Sequence, residues 1–357
     1  MGARIRLLIP RQSSRFSAMC NIMDDLYAGL SETGADPELY LLDVRDGEGA
    51  PSVPVRVVGS EEAVELLNSE ESPLVTVDDY SIMRTIYDGG ISNPSLTIWA
   101  HYFYGHSFFL PRYRDLRRSN FGAPLSIRAL ALLPESLWRR LSRFYWISLA
   151  RHRVVAQSLW TALILGRTYN VPVSGILYPP IEPGYYVGGG EGRERRALVY
   201  LGGRMDTDLA ALDRALRILG SEVPGIKFDC FGYEEVGRIY SRRFGVELSY
   251  LGKLDRADLG REYARHLVTV SPVYNGNFEM VPVESLLAGT PVITYLQPFI
   301  EVVGDTPLVA NFVDEAAVRL SVGSWVSGRG LGAELEAMRK RILGTMDPRR
   351  IAAKLLE

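Results

Sequence analysis

Short apolar runs alternate along this chain with stretches of helical period, and this alternation constrains the fold more than any other feature. RIRLLIP (Arg4 to Pro10) reads as a strand, a polar turn RQSSRFS follows, and a helical pattern runs from Ser17 to Glu32. ELYLLDV, VPVRVVG, LVTVD and LTIWAH recur as apolar strands, and VVAQS (Val154 to Ser158) with a helix to Tyr169 closes the first half. A Pro- and Gly-rich interval, GILYPPIEPGYYVGGGEGRE, then interrupts. After it ALVYLGG, KFDCFG, VELSYLG, HLVTVSP and PVITY restart the pattern, each followed by a helical segment. Such alternation predicts parallel sheets with helices on both faces. The interval predicts two doubly wound domains joined near Tyr178 to Gly192, and in such folds ligands bind at the carboxyl ends of the strands.

Composition sets the outer limits. With 357 residues, 47% of them hydrophobic and 23% charged, the chain reads as a soluble globular protein with room for two domains. Cys20 and Cys230 are the only cysteines. They stand too far apart for a disulfide framework or a zinc cluster, which predicts a reducing, cytoplasmic setting. No apolar run reaches the roughly 18 residues of a spanning helix, and no signal-peptide pattern opens the chain. The net charge of −2 names no partner.

The strand ends of the second half carry the chemical signals. ALVYLGGRMDTD ends a strand in Gly202-Gly203-Arg204. The glycines let the backbone approach a ligand, and an arginine there suits bidentate phosphate binding; a glycine turn with a solvated arginine is the plainer alternative. In SPVYNGNFEMVPVESLLAGTPVITY a polar turn leads into a helix with Pro282 near its first turn and Glu284 just beyond. A helix N-terminus presents unpaired N–H groups and a positive dipole end, which suits phosphate. An acid there also suits the dipole alone.

The series strand-GGR, then FG, then LG, then SP-x5-FEMVPVESLLAGTPVI resembles the carboxyl-terminal domain of retaining GT-B glycosyltransferases of the group 1 type (family 4), and YPPIEP resembles their interdomain segment. The resemblance covers roughly Val154 to Asn311, and in the first half only the strand order and WAHYFYGH share in it. It implies a GT-B fold of two Rossmann-like domains facing across a cleft: residues 1–178 on the acceptor side, 179–340 holding a nucleotide sugar, and a closing helix, 341–357, returning to the first domain. It implies sugar transfer from a nucleotide diphosphate to a lipid-linked or glycan acceptor hydroxyl, anomeric retention, no essential metal and no cofactor besides the donor substrate.

Carried over residue by residue, Glu284 matches the second acid of the family's Glu-x7-Glu motif, which holds the donor ribose. Arg204, beside Gly203, matches the arginine that contacts the diphosphate. Phe278 matches the aromatic of the turn before the helix, and the N–H groups of Met280 and Val281 would face diphosphate or sugar. Lys253 lies where the base is cradled. His101 matches a histidine placed beside the transferring sugar, with His106 as a nearby competitor. Two positions depart from the pattern: the first motif acid falls on Gly276, and the lysine expected after Arg204 is absent from RMDTDLAALD. Both departures point to a degenerate, non-catalytic sugar- or nucleotide-binding subunit as the rival reading; a sugar-nucleotide epimerase of the same fold is the rival among enzymes. Glu279, three residues after Gly276, is the candidate replacement carboxylate, unless it only caps the helix or complements its dipole.

One stretch stands out by charge. Between Phe108 and Arg153 ten arginines face only Asp115 and Glu135, a local charge of +8 in a chain whose total is −2. Within it Leu137, Trp138, Leu141, Phe144, Tyr145 and Ser148 share a helical stripe, with Arg139, Arg140 and Arg143 off it. This pattern suits contact with an anionic membrane surface or a lipid-phosphate acceptor. A core-packed helix with solvated arginines is the second reading, and nucleic acid the third, without any recognition module to accompany it.

Overall fold

The structure, a computed structural model, describes residues 3–11, 17–43, 49–101, 143–186, 193–203, 207–274, 278–327 and 331–357. The chain forms two compact units. The first takes its described residues from those before 102, from 143–182 and from 345–357; the second takes the remainder, from Pro183 to Gly344.

In the first unit seven strands form a parallel sheet: β1 (Arg4–Pro10), β2 (Asp36–Leu42), β3 (Val55–Val58), β4 (Leu74–Val77), β5 (Leu96–Ala100), β6 (Arg153–Ala156) and β7 (Gly175–Ile176). Their order is β3-β2-β1-β4-β5-β6-β7. Every residue of β4 and β5 is buried, as expected where helices cover both faces of a parallel sheet. The helices are α1 (Ala18–Glu32), α2 (Ser60–Asn68), α3 (Tyr80–Asp88), α4 (Arg143–Arg151) and α5 (Leu159–Tyr169). Ser17, Asp79 and Ser158 start α1, α3 and α5 by accepting from first-turn amides, which fixes where each strand hands over to its helix.

The second unit repeats the plan with β8 (Glu194–Leu201), β9 (Lys227–Gly232), β10 (Ser249–Tyr250), β11 (His266–Ser271), β12 (Val292–Thr294) and β13 (Val309–Asn311). The order β10-β9-β8-β11-β12-β13 is parallel throughout. Its helices are α6 (Leu209–Glu222), α7 (Glu234–Phe244), α8 (Arg256–Arg265), α9 (Met280–Leu287), α10 (Ile300–Val303), α11 (Glu315–Ser327) and, up to Gly344, α12 (Leu331–Met346). On one face Ala197, Val199, Val268 and Val270 pack with Leu212, Leu216 and Leu219 of α6 and Trp325 of α11. Each fully buried valine or leucine among them contributes about 1.5–3 kcal/mol. On the other face Ser285 of α9 donates to Thr269 of β11 at 2.8 Å, so α9 lies over the strand that precedes it.

The closing helix α13 (Pro348–Leu356) packs on α1 within the first unit, where a Cβ on Gly29 would sit 2.3 Å from the Pro348 carbonyl oxygen. Asp347 caps α13, and Arg349 pairs with Glu32. Ile181 N–H donates to the Met346 carbonyl at 3.0 Å, so the two segments of the first unit that border the second are bonded to each other.

Candidate functional site

In the second sheet the strand order reverses between β8 and β11. Loops leaving the two strands at such a point diverge, and a crevice opens at their carboxyl ends. After β8 the chain turns through Gly202 and Gly203. The Thr207 amide and hydroxyl both donate to the Gly203 carbonyl at 3.1 Å, which closes the loop. Thr207 then forms an antiparallel bridge with Val273, and the Asp208 amide donates to the Pro272 carbonyl at 2.9 Å. The residues that open α6, Thr207 and Asp208, are therefore held beside Pro272 and Val273, the first residues after β11. Arg204 and Gly276, which belong to these two segments, lie outside the described residues.

The turn after β11 leads into α9, all eight residues of which are buried. Phe278 before it is buried too, which with Met280 and Val281 fixes the backbone that carries the first-turn amides. Glu279 is the N-cap residue, half-buried, and its side chain makes no capping hydrogen bond. At the other end, Arg339 Nε donates to the Leu287 carbonyl at 2.9 Å and Arg193 donates to Gly289. Two guanidinium groups thus meet the negative end of the α9 dipole, while its positive end faces the turn.

Glu284 is the fifth residue of α9, at the start of its second turn, and only 7% exposed. Its carboxylate accepts two phenol hydrogen bonds: from Tyr186 to Oε1 at 2.9 Å and from Tyr263 to Oε2 at 3.1 Å. Burial first, then the Glu284 charge, push both phenols well above their ordinary range, so both stay protonated and donate. A smaller part of the Tyr263 shift comes from Glu279, which places that carboxylate near the same pair. Tyr186 lies in a 3-10 turn, Pro183–Tyr186, that rests on α8; the Arg256 guanidinium stands 4.4 Å from the Tyr185 ring centre. Neither tyrosine was singled out from the sequence, although Tyr186 comes three residues after the interdomain YPPIEP segment.

Lys253 is exposed, just beyond Gly252 (φ +91°), after the edge strand β10. β9 and β8 stand between β10 and β11, so the sheet does not place Lys253 beside Glu284.

His101 follows β5 in the first unit and is 7% exposed. Its backbone is held at both ends: the N–H donates to Asp78 at 2.6 Å, and the carbonyl accepts from Gln157 at 2.9 Å. Asp78 also accepts from the Tyr145 hydroxyl at 2.6 Å. The ring lies edge-on to Trp99, 4.1 Å between centres. Burial pushes the imidazole down to about 3, so it is neutral at physiological pH.

In the basic stretch, Arg139 and Arg140 lie outside the described residues, and Arg143 is exposed at the start of α4. Phe144, Tyr145, Ser148 and Leu149 are buried. Ser148 donates to Met83 of α3, and Phe144 meets Tyr87 edge-on. Phe144, Tyr145 and Ser148, the described part of the apolar stripe, are therefore core packing within the unit. No described helix is long and apolar enough to cross a membrane, and no cluster of three or more metal-ligating side chains occurs among the described residues.

No family model and no curated protein sequence matches the chain. Solved structures do. Sucrose-phosphate synthase from Thermosynechococcus elongatus aligns over 99% of this chain and 97% of its own, with a TM-score of 0.71 at 14% identity. Anabaena HepE in complex with UDP-glucose covers 98% of each chain with a TM-score of 0.69 at 12% identity. Staphylococcus aureus TarM in complex with UDP covers 99% of each with a TM-score of 0.71 at 8% identity. The fold is GT-B. The two parallel sheets with interleaved helices are its two Rossmann-like halves, and the β8/β11 reversal is the switch point of the second.

Proposed function

We propose that this protein is a glycosyltransferase that holds a nucleotide sugar in its second unit and moves the sugar to an acceptor hydroxyl. The observation that supports this best is that, at the switch point of a GT-B sheet, the chain after Gly203 is bonded to the chain leaving β11 toward α9, the helix that carries the buried Glu284. HepE and TarM, which share the fold, are bound to UDP-glucose and UDP in their structures. In this reading Glu284 accepts the ribose hydroxyls, and Arg204, with the Gly203 backbone and the Met280 and Val281 N–H groups, meets the diphosphate. Phe278 shapes the turn, and Lys253 reaches the base. His101, a neutral ring, stands beside the transferring sugar, and Glu279 takes the sugar-hydroxyl contact that Gly276 does not supply.

The bond from the sugar C1 to the phosphate oxygen breaks while the bond from C1 to the acceptor oxygen forms on the same face. The acceptor proton passes to the departing phosphate oxygen, so the reading requires retention and no metal. Positive charge and oriented N–H groups at the diphosphate stabilise the charge that develops there. The acceptor is lipid-linked or a glycan, met at the inner face of the cell membrane, with Arg139, Arg140 and Arg143 offered to its anionic groups.

Gly276 and the lysine missing after Arg204 favour a second reading, a subunit that binds a nucleotide sugar without transferring it. Incubation with nucleotide sugars and polyprenyl-phosphate or glycan acceptors separates the two. Acceptor-dependent consumption of donor, with the anomeric configuration retained and no loss in EDTA, supports the transferase. Binding without turnover selects the subunit.

A further inference from the structure

Two tyrosines from separate elements meet on Glu284. Tyr263 is carried by α8 and is fully buried; Tyr186 is carried by the turn before β8 and is 2% exposed. Their rings stand 6.4 Å apart, tilted by 45°, and their hydroxyls reach different oxygens of the same carboxylate. Gly260 of α8 seats the turn: a Cβ there would lie 1.8 Å from the Tyr185 carbonyl oxygen. Arg256, one helical turn earlier, stands over the ring of Tyr185 and within 6.0 Å of the ring centre of Tyr186.

A phenol has one proton to donate, and a carboxylate has about four acceptor positions. One donor on each oxygen fills two of those positions. It also fixes the carboxylate plane, because rotation about the last side-chain bond would break both hydrogen bonds together. A glutamate aimed at two neighbouring hydroxyls needs that plane fixed, since each oxygen must meet its own partner. We propose that Tyr186 and Tyr263 are positioning residues that hold the Glu284 carboxylate in the one orientation that grips the vicinal hydroxyls of the donor ribose. This rests on the donor-binding role given to Glu284 above. Each phenol acts through Glu284, so its loss is felt most by ligands carrying both hydroxyls that Glu284 accepts and less by ligands lacking one of them.

The test is calorimetric titration of UDP, GDP and ADP and of their 2′-deoxy counterparts into the parent chain, Tyr186→Phe, Tyr263→Phe and Glu284→Gln. The parent is expected to prefer its ribonucleotide at least tenfold. Each Phe variant is expected to lose at least threefold of that preference, by weakening the ribonucleotide more than the 2′-deoxy form, which keeps its 3′ hydroxyl, and Glu284→Gln to lose most of it. An unchanged preference in both Phe variants overturns the positioning role and leaves the donor reading standing. Equal binding of ribo and deoxy forms by the parent also overturns it. No binding of any of the nucleotides to the parent overturns the donor reading itself. Should a Phe variant not fold, the same substitution is made in the Glu284→Gln background, where no buried charge is stranded. No further loss of affinity is expected there, and a further loss overturns the role.

Discussion

Gly260→Ala sets two effects of opposite sign against each other. Gly260 lies within α8, where alanine is the better helix former by about 1 kcal/mol; on propensity alone the variant gains stability. The structure predicts the reverse. The added Cβ would stand 1.8 Å from the Tyr185 carbonyl oxygen and 3.0 Å from its carbon, whereas ordinary contact begins near 3.4 Å. The obstacle is backbone, not the tip of a flexible side chain, so the 183–186 turn has to retreat by about 1.5 Å. Overpacking of this kind costs about 1–3 kcal/mol. The retreat also takes the Tyr186 hydroxyl from 2.9 Å to beyond hydrogen-bond reach of Glu284, leaving a buried acceptor short of a donor at a further cost of about 1–3 kcal/mol. Less the helix gain, the net loss is about 3 kcal/mol, or about 6–12 °C in the melting temperature at roughly 2–4 °C per kcal/mol. Thermal and urea melts of parent and variant measure it directly. A variant as stable as the parent, or more so, refutes the close packing of the turn on α8 and with it the seating of Tyr186.

Three further outcomes follow from named groups. Glu279 makes no capping hydrogen bond, so Glu279→Gln is expected to cut transfer at least tenfold while moving the melting temperature by less than about 2 °C; intact transfer removes Glu279 from the site. His101 falls from an unfolded value near 6.5 to about 3 in the fold. Its contribution to stability is therefore present above pH 6.5 and is lost as the pH falls from there toward 3, by up to a few kcal/mol. His101→Gln should flatten that acid limb, and no His101 titration should appear in activity between pH 5 and 8; an unchanged acid limb contradicts the burial. If the arginine-rich stretch meets anionic lipid, Arg139→Glu with Arg140→Glu abolishes sedimentation with phosphatidylglycerol vesicles, at about 1 kcal/mol per arginine. Equal binding of the parent to neutral vesicles contradicts that contact.

The sheets were legible because parallel strands covered on both faces are written as continuous apolar runs, and LVTVD, LTIWAH and HLVTVSP contain three of them nearly to the residue. β7 and β13, two and three residues long, leave no such run and were not expected. The Pro282–Gly289 helix signal was equally clear, since a proline near the start and a glycine at the end mark both boundaries. The partners of Glu284 were not legible. Tyr186 lies 98 residues before it and Tyr263 lies 21 before it, and only tertiary packing brings them to one carboxylate. Phe144, Tyr145 and Ser148 of the stripe read on the arginine-rich stretch are buried, but the period could not distinguish a lipid face from the face that packs on α3; Leu137, Trp138 and Leu141 lie outside the described residues.

The account stands or falls on whether the second unit holds a nucleotide sugar. A thermal-shift panel of UDP-, GDP-, ADP- and dTDP-sugars against parent, Glu284→Gln and Arg204→Ala measures this most directly. A donor at 100 times its dissociation constant adds about 2.7 kcal/mol, which appears as a rise of roughly 5–11 °C. The account predicts such a rise for at least one donor in the parent and a smaller one in both variants. No rise with any donor, or an equal rise in all three proteins, contradicts it.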